Sequence, residues 1–249
     1  MFEWNPDKIR FRIDSVRRST FHKQIARVLA GKFDDPSVIS LCDAGCGLGY
    51  LSLALSEHFK QITAIDISPI ALSVLQKETE SRGIRNIEIL QEDLLDDPSV
   101  VPALYDSMVF SFFGNISEIL QIAVPRCRNR IFILKKNDHH HRFSISHAVR
   151  EHDSMAWALA DLRDRGLPFT KEDMSIEDGQ PLRSLDDAEL FFRLYARDKD
   201  TELINRDYVK SLLQETGDDE FPYYYQRACE FSILTVDLSS CNYIQKEIS

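Results

Sequence analysis

An α/β protein built on a mostly parallel sheet is what this sequence predicts, and three observations predict it. Short apolar runs alternate with helix-period stripes between residues 36 and 137, the rhythm of a parallel sheet covered by helices on both faces. A stretch with glycine at alternate positions follows the first run directly and opens a helix. Aspartates stand at the ends of the second and third runs, on the edge where open parallel sheets bind ligands.

The elements follow in order. Residues 1 to about 35 read as helical, with Ile25, Val28 and Leu29 at helical spacing, closed by Gly31 and the breaker Asp34-Asp35-Pro36. Val38 to Cys42 has the short apolar form of a buried parallel strand, and Leu51, Ala54 and Leu55 share a helical face beyond the glycine turn. Ile62 to Ile65 reads as the second strand. Ser68 then caps a helix with Pro69 at its first position and Ile70, Val74 and Leu75 as its apolar stripe. Ile87 to Leu90, Ser107 to Phe110 and Ile131 to Leu134 are the third, fourth and fifth strands.

Residues 138 to about 205 break the rhythm. Met155, Ala156, Leu159, Ala160 and Leu162 predict a helix ended by Gly166, with Pro168 just beyond. Ala188, Phe191, Phe192 and Tyr195 predict another, and Lys171 to Leu185 between them reads as irregular. The zone is therefore expected to be a mostly helical insertion or lid. Residues 206–249 predict a C-terminal helix and closing strands, with Tyr223 to Tyr225 and Phe231 to Val236 joined as an antiparallel hairpin at the sheet edge. The expectation is one domain over residues 1–249, made of a helical segment (1–35), a ligand-binding core (36–137), the insertion (138–205) and the closing segment (206–249).

Composition bounds the function. The chain has 249 residues, 30 Lys and Arg against 40 Asp and Glu, and a formal charge of −10. With 43% hydrophobic residues it falls among ordinary globular proteins and outside collagenous or disordered ones. The acidic balance argues against a broad nucleic-acid footprint, which needs a basic face. No window approaches 18 apolar residues, so no membrane-spanning helix is expected. The opening stretch has no apolar h-region, and the five cysteines (Cys42, Cys46, Cys127, Cys229 and Cys241) include no C-x-x-C pair. Free thiols and a cytoplasmic location are the corresponding expectation, with a monomer or a homodimer both open.

The informative segment is Asp43-Ala44-Gly45-Cys46-Gly47-Leu48-Gly49-Tyr50. Taken alone, such a loop is equally well an ordinary strand-to-helix turn. Its spacing is G-x-G-x-G rather than the dinucleotide G-x-G-x-x-G, and Asp43 stands two positions before the first glycine. A carboxylate there would repel a pyrophosphate and suit a cationic amino group. Asp66 ends the second strand, where a carboxylate can accept ribose hydroxyls, and Asp93 ends the third, where one can accept from an adenine amino group. Each aspartate alone is better explained by a turn or cap; the ordered set at strand ends points to a ligand.

Val38 to Gly49 resembles the first motif of the class I S-adenosylmethionine-dependent methyltransferases, Ala64-Ile65-Asp66-Ile67-Ser68 their second, and Gln91-Glu92-Asp93 their third. The resemblance covers roughly residues 36 to 137. It implies a Rossmann-like, mostly parallel seven-stranded sheet, S-adenosylmethionine as cofactor, and methyl transfer. It also implies roles: Asp43, Gly45, Gly47 and Gly49 at the methionine end, Asp66 on the ribose, and Ile67 and Asp93 at the adenine.

The acceptor side is less defined. At the end of the fourth strand stands Phe110-Ser111-Phe112-Phe113-Gly114-Asn115, without the [Asp/Asn]-Pro-Pro-[Tyr/Phe] signature of amino-group methylation on DNA or protein. Phe112 is a candidate cofactor contact through its aromatic face, with core packing as the plain alternative for it and Phe113. His139, His140 and His141 follow the fifth strand and are the candidate catalytic residues. Adjacent side chains converge on one metal poorly, so no metal is expected, and an exposed polar loop is the plainer reading. Gln180, Arg183 and Ser184 are candidate lid contacts, and the N-terminal helix with Trp4 and Phe11 is expected to close the other side. The expected function is methyl transfer to a small-molecule acceptor at O, N or S. A non-catalytic S-adenosylmethionine-binding regulatory protein, an RNA methyltransferase and an NAD-dependent oxidoreductase are the alternatives.

Overall fold

The computed structural model describes residues 3–137, 155–196 and 201–238. Its helices are α1 (Pro6–Arg18), α2 (Phe21–Ala30), α3 (Tyr50–Leu55), α4 (Pro69–Arg82), α5 (Ile116–Ala123), α6 (Met155–Asp164), α7 (Leu185–Tyr195) and α8 (Arg206–Ser211). Its strands are β1 (Ser40–Ala44), β2 (Gln61–Asp66), β3 (Ile87–Gln91), β4 (Tyr105–Ser111), β5 (Cys127–Lys136), β6 (Phe169–Glu177), β7 (Gln180–Leu182), β8 (Gln214–Glu215), β9 (Tyr223–Tyr225) and β10 (Ala228–Asp237).

The main sheet has seven strands in the order β3-β2-β1-β4-β5-β10-β6. The first five are parallel, and β10 runs antiparallel to both β5 and β6. Strand order reverses between β1 and β4, so the crevice at their carboxyl ends is the place for a ligand. One face packs on α2 and α3 through Ile25, Leu29, Leu41, Leu55, Phe132 and Ile233. The other packs on α5 and α6 through Met108, Phe110, Ile119, Ile131, Leu162 and Leu234.

Local chemistry sets the element ends. The Asn5 side chain accepts from Lys8 N–H, with Pro6 at the first turn of α1. The Ser68 hydroxyl accepts from Ala71 N–H at the start of α4, as the sequence predicts. Asn115 and Glu118 form a reciprocal capping box on α5.

Two expectations are corrected. The stretch expected to be irregular, Lys171 to Leu185, contains most of β6, all of β7 and the first residue of α7. The strand β6 is polar because it is a sheet edge; nine register pairs with β10 hold it. Tyr223 to Tyr225 do not form a hairpin with Phe231 to Val236. They lie in a separate three-stranded sheet, β7-β9-β8, while β10 enters the main sheet between β5 and β6.

The small sheet, α7, α8 and one side of α1 share a core of Phe11, Leu182, Phe191, Phe192, Ile204 and Val209. Phe11 thus belongs to this cap's interior rather than to a cavity wall. Among the described residues four arginine–aspartate pairs fasten α1 to the cap: Arg10–Asp187 at 2.7 Å, Arg12–Asp178 at 2.9 Å, Arg183–Asp14 at 2.8 Å, and Arg18–Asp218. Arg183 serves that contact and Ser184 caps α7, so neither candidate lid contact lines the cavity described next. Among the described residues no helix is long and apolar enough to cross a membrane.

Candidate active site

A cavity of about 380 Å³ lies at the carboxyl ends of the parallel strands. Its floor is the glycine loop with Asp66-Ile67, Asp93 and Ser111 to Phe113; its roof includes Trp4, Arg12 and His22 from the N-terminal segment and Gln180 and Tyr195 from the cap.

The loop is held from below. Gly45 and Cys46 N–H donate to the Ile65 carbonyl at 2.8 and 2.9 Å, and Gly47 N–H donates to Asp66 Oδ2 at 2.8 Å. Gly45 has φ 73°, and a Cβ there would stand 2.5 Å from Phe113 Cγ, so no side chain fits. A Cβ at Gly47 would meet the Trp4 indole at 3.2 Å, which places the residue just before α1 directly over the loop.

Asp43 on β1 is fully buried. The Ser52 hydroxyl donates to its Oδ2 at 2.5 Å, while Oδ1 has no partner. Burial pushes this carboxyl up to about 7; the Ser52 bond opposes the shift and neighbouring Asp66 adds to it. A buried carboxylate oxygen without a donor, at the wall of a cavity, is an acceptor awaiting one. Asp66 is half-buried, and its Oδ1 accepts from Ser68 N–H at 2.9 Å. Those two backbone bonds fix its orientation and leave further lone pairs on both oxygens. Asp93 Oδ1 accepts from Leu95 and Asp96 N–H at 3.0 and 3.3 Å.

Phe112 carries φ 57°, a left-handed conformation that costs a bulky residue about 1–3 kcal/mol. Its N–H donates to Leu134 O at 3.0 Å; its ring lies 6.4 Å from Phe21 at 22° and meets Phe231 edge-on at 5.7 Å. The strained turn holds the Phe112 ring at the cavity and 40% exposed. Phe113 instead packs beneath Gly45 and stacks on Phe110.

Comparison with known proteins points to one family. Residues 41–128 match a methyltransferase domain model. The chain is similar to the class I S-adenosylmethionine-dependent methyltransferases, and the match lies in its parallel core. It is 35% identical over 75 residues to an uncharacterised protein, YbxB, of Bacillus subtilis, which is 29% of this chain and 37% of that one. It is 26% identical over 124 residues to ribosomal protein L11 methyltransferase of Helicobacter hepaticus, 49% of this chain and 39% of that one. The curated relatives it matches are thus covered over less than half of their length. The fold is shared with a SAM-dependent methyltransferase from Aquifex aeolicus, at TM-score 0.53 and 15% identity, covering 94% of this chain and 99% of that one.

Within this methyltransferase domain, all eight residues singled out from the sequence, Asp43, Gly45, Gly47, Gly49, Asp66, Ile67, Asp93 and Phe112, border the one cavity. Ile67 is exposed there, not buried in the core. Of the candidate lid contacts, Gln180 lines the cavity, its amide donating to the Phe11 and Pro181 carbonyls at 3.0 Å. Trp4 closes the other side as expected. His139, His140 and His141 lie outside the described residues. Cys42, Cys46 and Cys127 are free thiols; Cys241 lies outside the described residues.

Sequence reasoning missed Arg12, Phe21, His22 and Tyr195. Arg12 sits in a charged helix where its signature is that of a solvated residue. In the fold its Nη1 donates to Asp178 Oδ1 and Oδ2 at 2.9 and 3.1 Å, and its Nη2 lies 3.0 Å from His22 Nε2. A guanidinium only donates, so Nε2 is the acceptor of this contact.

Proposed function

We propose that this protein transfers the methyl group of S-adenosylmethionine to a small-molecule acceptor at oxygen, nitrogen or sulfur. The observation that carries the reading is the roof. Trp4, Arg12, His22, Gln180 and Tyr195 cover the carboxyl edge of the sheet, and the remaining volume suits a cofactor with a small acceptor better than a macromolecular strand. The acidic charge of −10 points the same way.

The residues present fit the cofactor. The glycine loop offers a surface without side chains, and the partnerless Asp43 oxygen suits an ammonium. Asp66 is oriented to accept from ribose hydroxyls, Ile67 gives the adenine an apolar wall, and Asp93 accepts from its amino group. The exposed face of Phe112 attracts a sulfonium. When bound, the cofactor supplies a methyl group on a cationic sulfur that leaves as a neutral thioether. The chain's own part is to orient donor and acceptor in line and to exclude water.

The test is calorimetric titration with S-adenosylmethionine, S-adenosylhomocysteine and NAD, followed by turnover assays on small acceptors. Binding of both adenosyl ligands without NAD supports the reading; NAD binding alone overturns it. Binding without turnover on any acceptor selects a regulatory cofactor-binding protein, and tight, salt-sensitive RNA binding selects an RNA substrate. Asp66→Ala is expected to weaken S-adenosylhomocysteine at least tenfold and, by removing the acceptor of Gly47 and Ser68 N–H, to lower Tm by a few degrees while the protein stays folded. Equal affinity in the folded variant removes Asp66 from the ribose.

A further inference from the structure

A cofactor ending in an amino acid brings a carboxylate as well as an ammonium into the cavity, and burying a carboxylate without charged donors is costly. Asp43 can answer the ammonium; it cannot answer the carboxylate. Among the described residues, Arg12 is the arginine that lines the cavity. Trp4, just before α1, lies over Gly47, and the His22 ring on α2 lies 5.9 Å from Tyr50, the residue that follows Gly49. The Arg12 and His22 pair therefore adjoins the loop where the proposed function seats the methionine end.

We propose that Arg12 binds the carboxylate of the cofactor, with Asp178 as the residue that positions it; the proposal rests on the S-adenosylmethionine reading. Arg12 is mostly covered, with 17% of its side chain exposed, and wholly buried Asp178 holds Nη1 through both oxygens. Asp178 is itself tied by the Ser15 hydroxyl at 3.4 Å, so the anchor spans α1 and the turn before β7. His22 takes one Nη2 hydrogen. A guanidinium has five N–H groups, and the partners named leave donors for a ligand oxygen on the cavity side. A guanidinium fixed beforehand loses little freedom on binding, which is why such a site suits arginine rather than lysine. The consequence is that α1, the cap and the cofactor become one connected network.

The test compares S-adenosylmethionine with decarboxylated S-adenosylmethionine, which keeps the ammonium and the sulfonium and lacks only the carboxylate. Calorimetry on the full chain would use the wild type, Arg12→Gln and Arg12→Lys, with unliganded melting curves recorded for each. Arg12→Gln is expected to weaken S-adenosylmethionine roughly 10- to 100-fold, the range of a charge-assisted hydrogen bond. It should leave the decarboxylated ligand within about twofold. Arg12→Lys keeps the charge beside Asp178 and secures a folded variant; it should lose affinity in the same selective way but less. Equal loss for both ligands, or no loss for either, overturns the assignment while the cofactor reading stands. A wild type that binds neither ligand overturns both.

Discussion

Asp43 shows how one residue couples burial to function. A carboxyl held near 7 in the fold and near 3.8 in the unfolded chain favours folding while protonated. Its contribution is complete below the unfolded value and is lost as pH rises through about 7. Between pH 6 and 8 this amounts to about 1.4 kcal/mol, or roughly 3–6 °C in Tm for a chain of this length. Ligand-free protein is thus expected to melt lower at pH 8 than at pH 6, and Asp43→Asn should flatten that slope while weakening the cofactor. An unchanged slope would mean that Asp43 ionises normally. Gly45 is constrained differently. Gly45→Ala puts a methyl into the Phe113 ring at a positive φ and is expected to cost more than about 2 kcal/mol and abolish cofactor binding. Gly83→Ala shares the positive φ (64°) but meets open space, so its cost should stay near 1 kcal/mol with binding intact. Denaturant midpoints of the two variants separate the steric part from the backbone part.

At the scale of elements, what positions the site is how each helix is started. The turn after β4 must carry Phe112 at a left-handed φ and then reverse into α5 at once. The Asn115–Glu118 capping box fixes that start by satisfying two backbone N–H groups. Asn115→Ala is expected to cost about 1 kcal/mol and to loosen the Phe112 turn. Raised amide exchange confined to residues near 112–118 would mark the effect; unaltered exchange there would show that packing, not the cap, holds the turn. The helix α1 works at longer range, since it lies over the glycine loop at its start and is pinned to the cap along its length.

In the whole molecule, the cap is not a separate body. Its core includes Phe11 of α1, while Ile9 of the same helix packs with Leu48, Tyr50 and Leu75 beside the glycine loop. Cap and sheet are therefore expected to melt in a single transition. S-adenosylhomocysteine at a hundred times its Kd should raise stability by about 2.7 kcal/mol, roughly 5–10 °C in Tm. Two transitions in calorimetry, only one of them moved by ligand, would show that the cap unfolds independently.

The parallel core and the cavity floor were legible in the sequence because their signals are local. A buried strand needs a continuous apolar run, and a loop that must turn under a ligand needs glycines. A carboxylate serving at a strand end sits at the end of that run, as Asp43, Asp66 and Asp93 do around β1, β2 and β3. The strand β6 was not legible, because Lys171, Glu172 and Asp173 suit a solvent-facing edge whose stability comes from β10, more than fifty residues away. The same holds for Tyr223 to Tyr225, where either neighbouring sheet could have taken the strand and only packing against β7 and β8 decided. Nothing local distinguishes Arg12 from the other arginines of α1. Its place beside His22 and Asp178 is set by how α1 and the cap close over the sheet. The sequence by itself determined which ligand chemistry the floor can hold; the tertiary structure alone decided what stands above it.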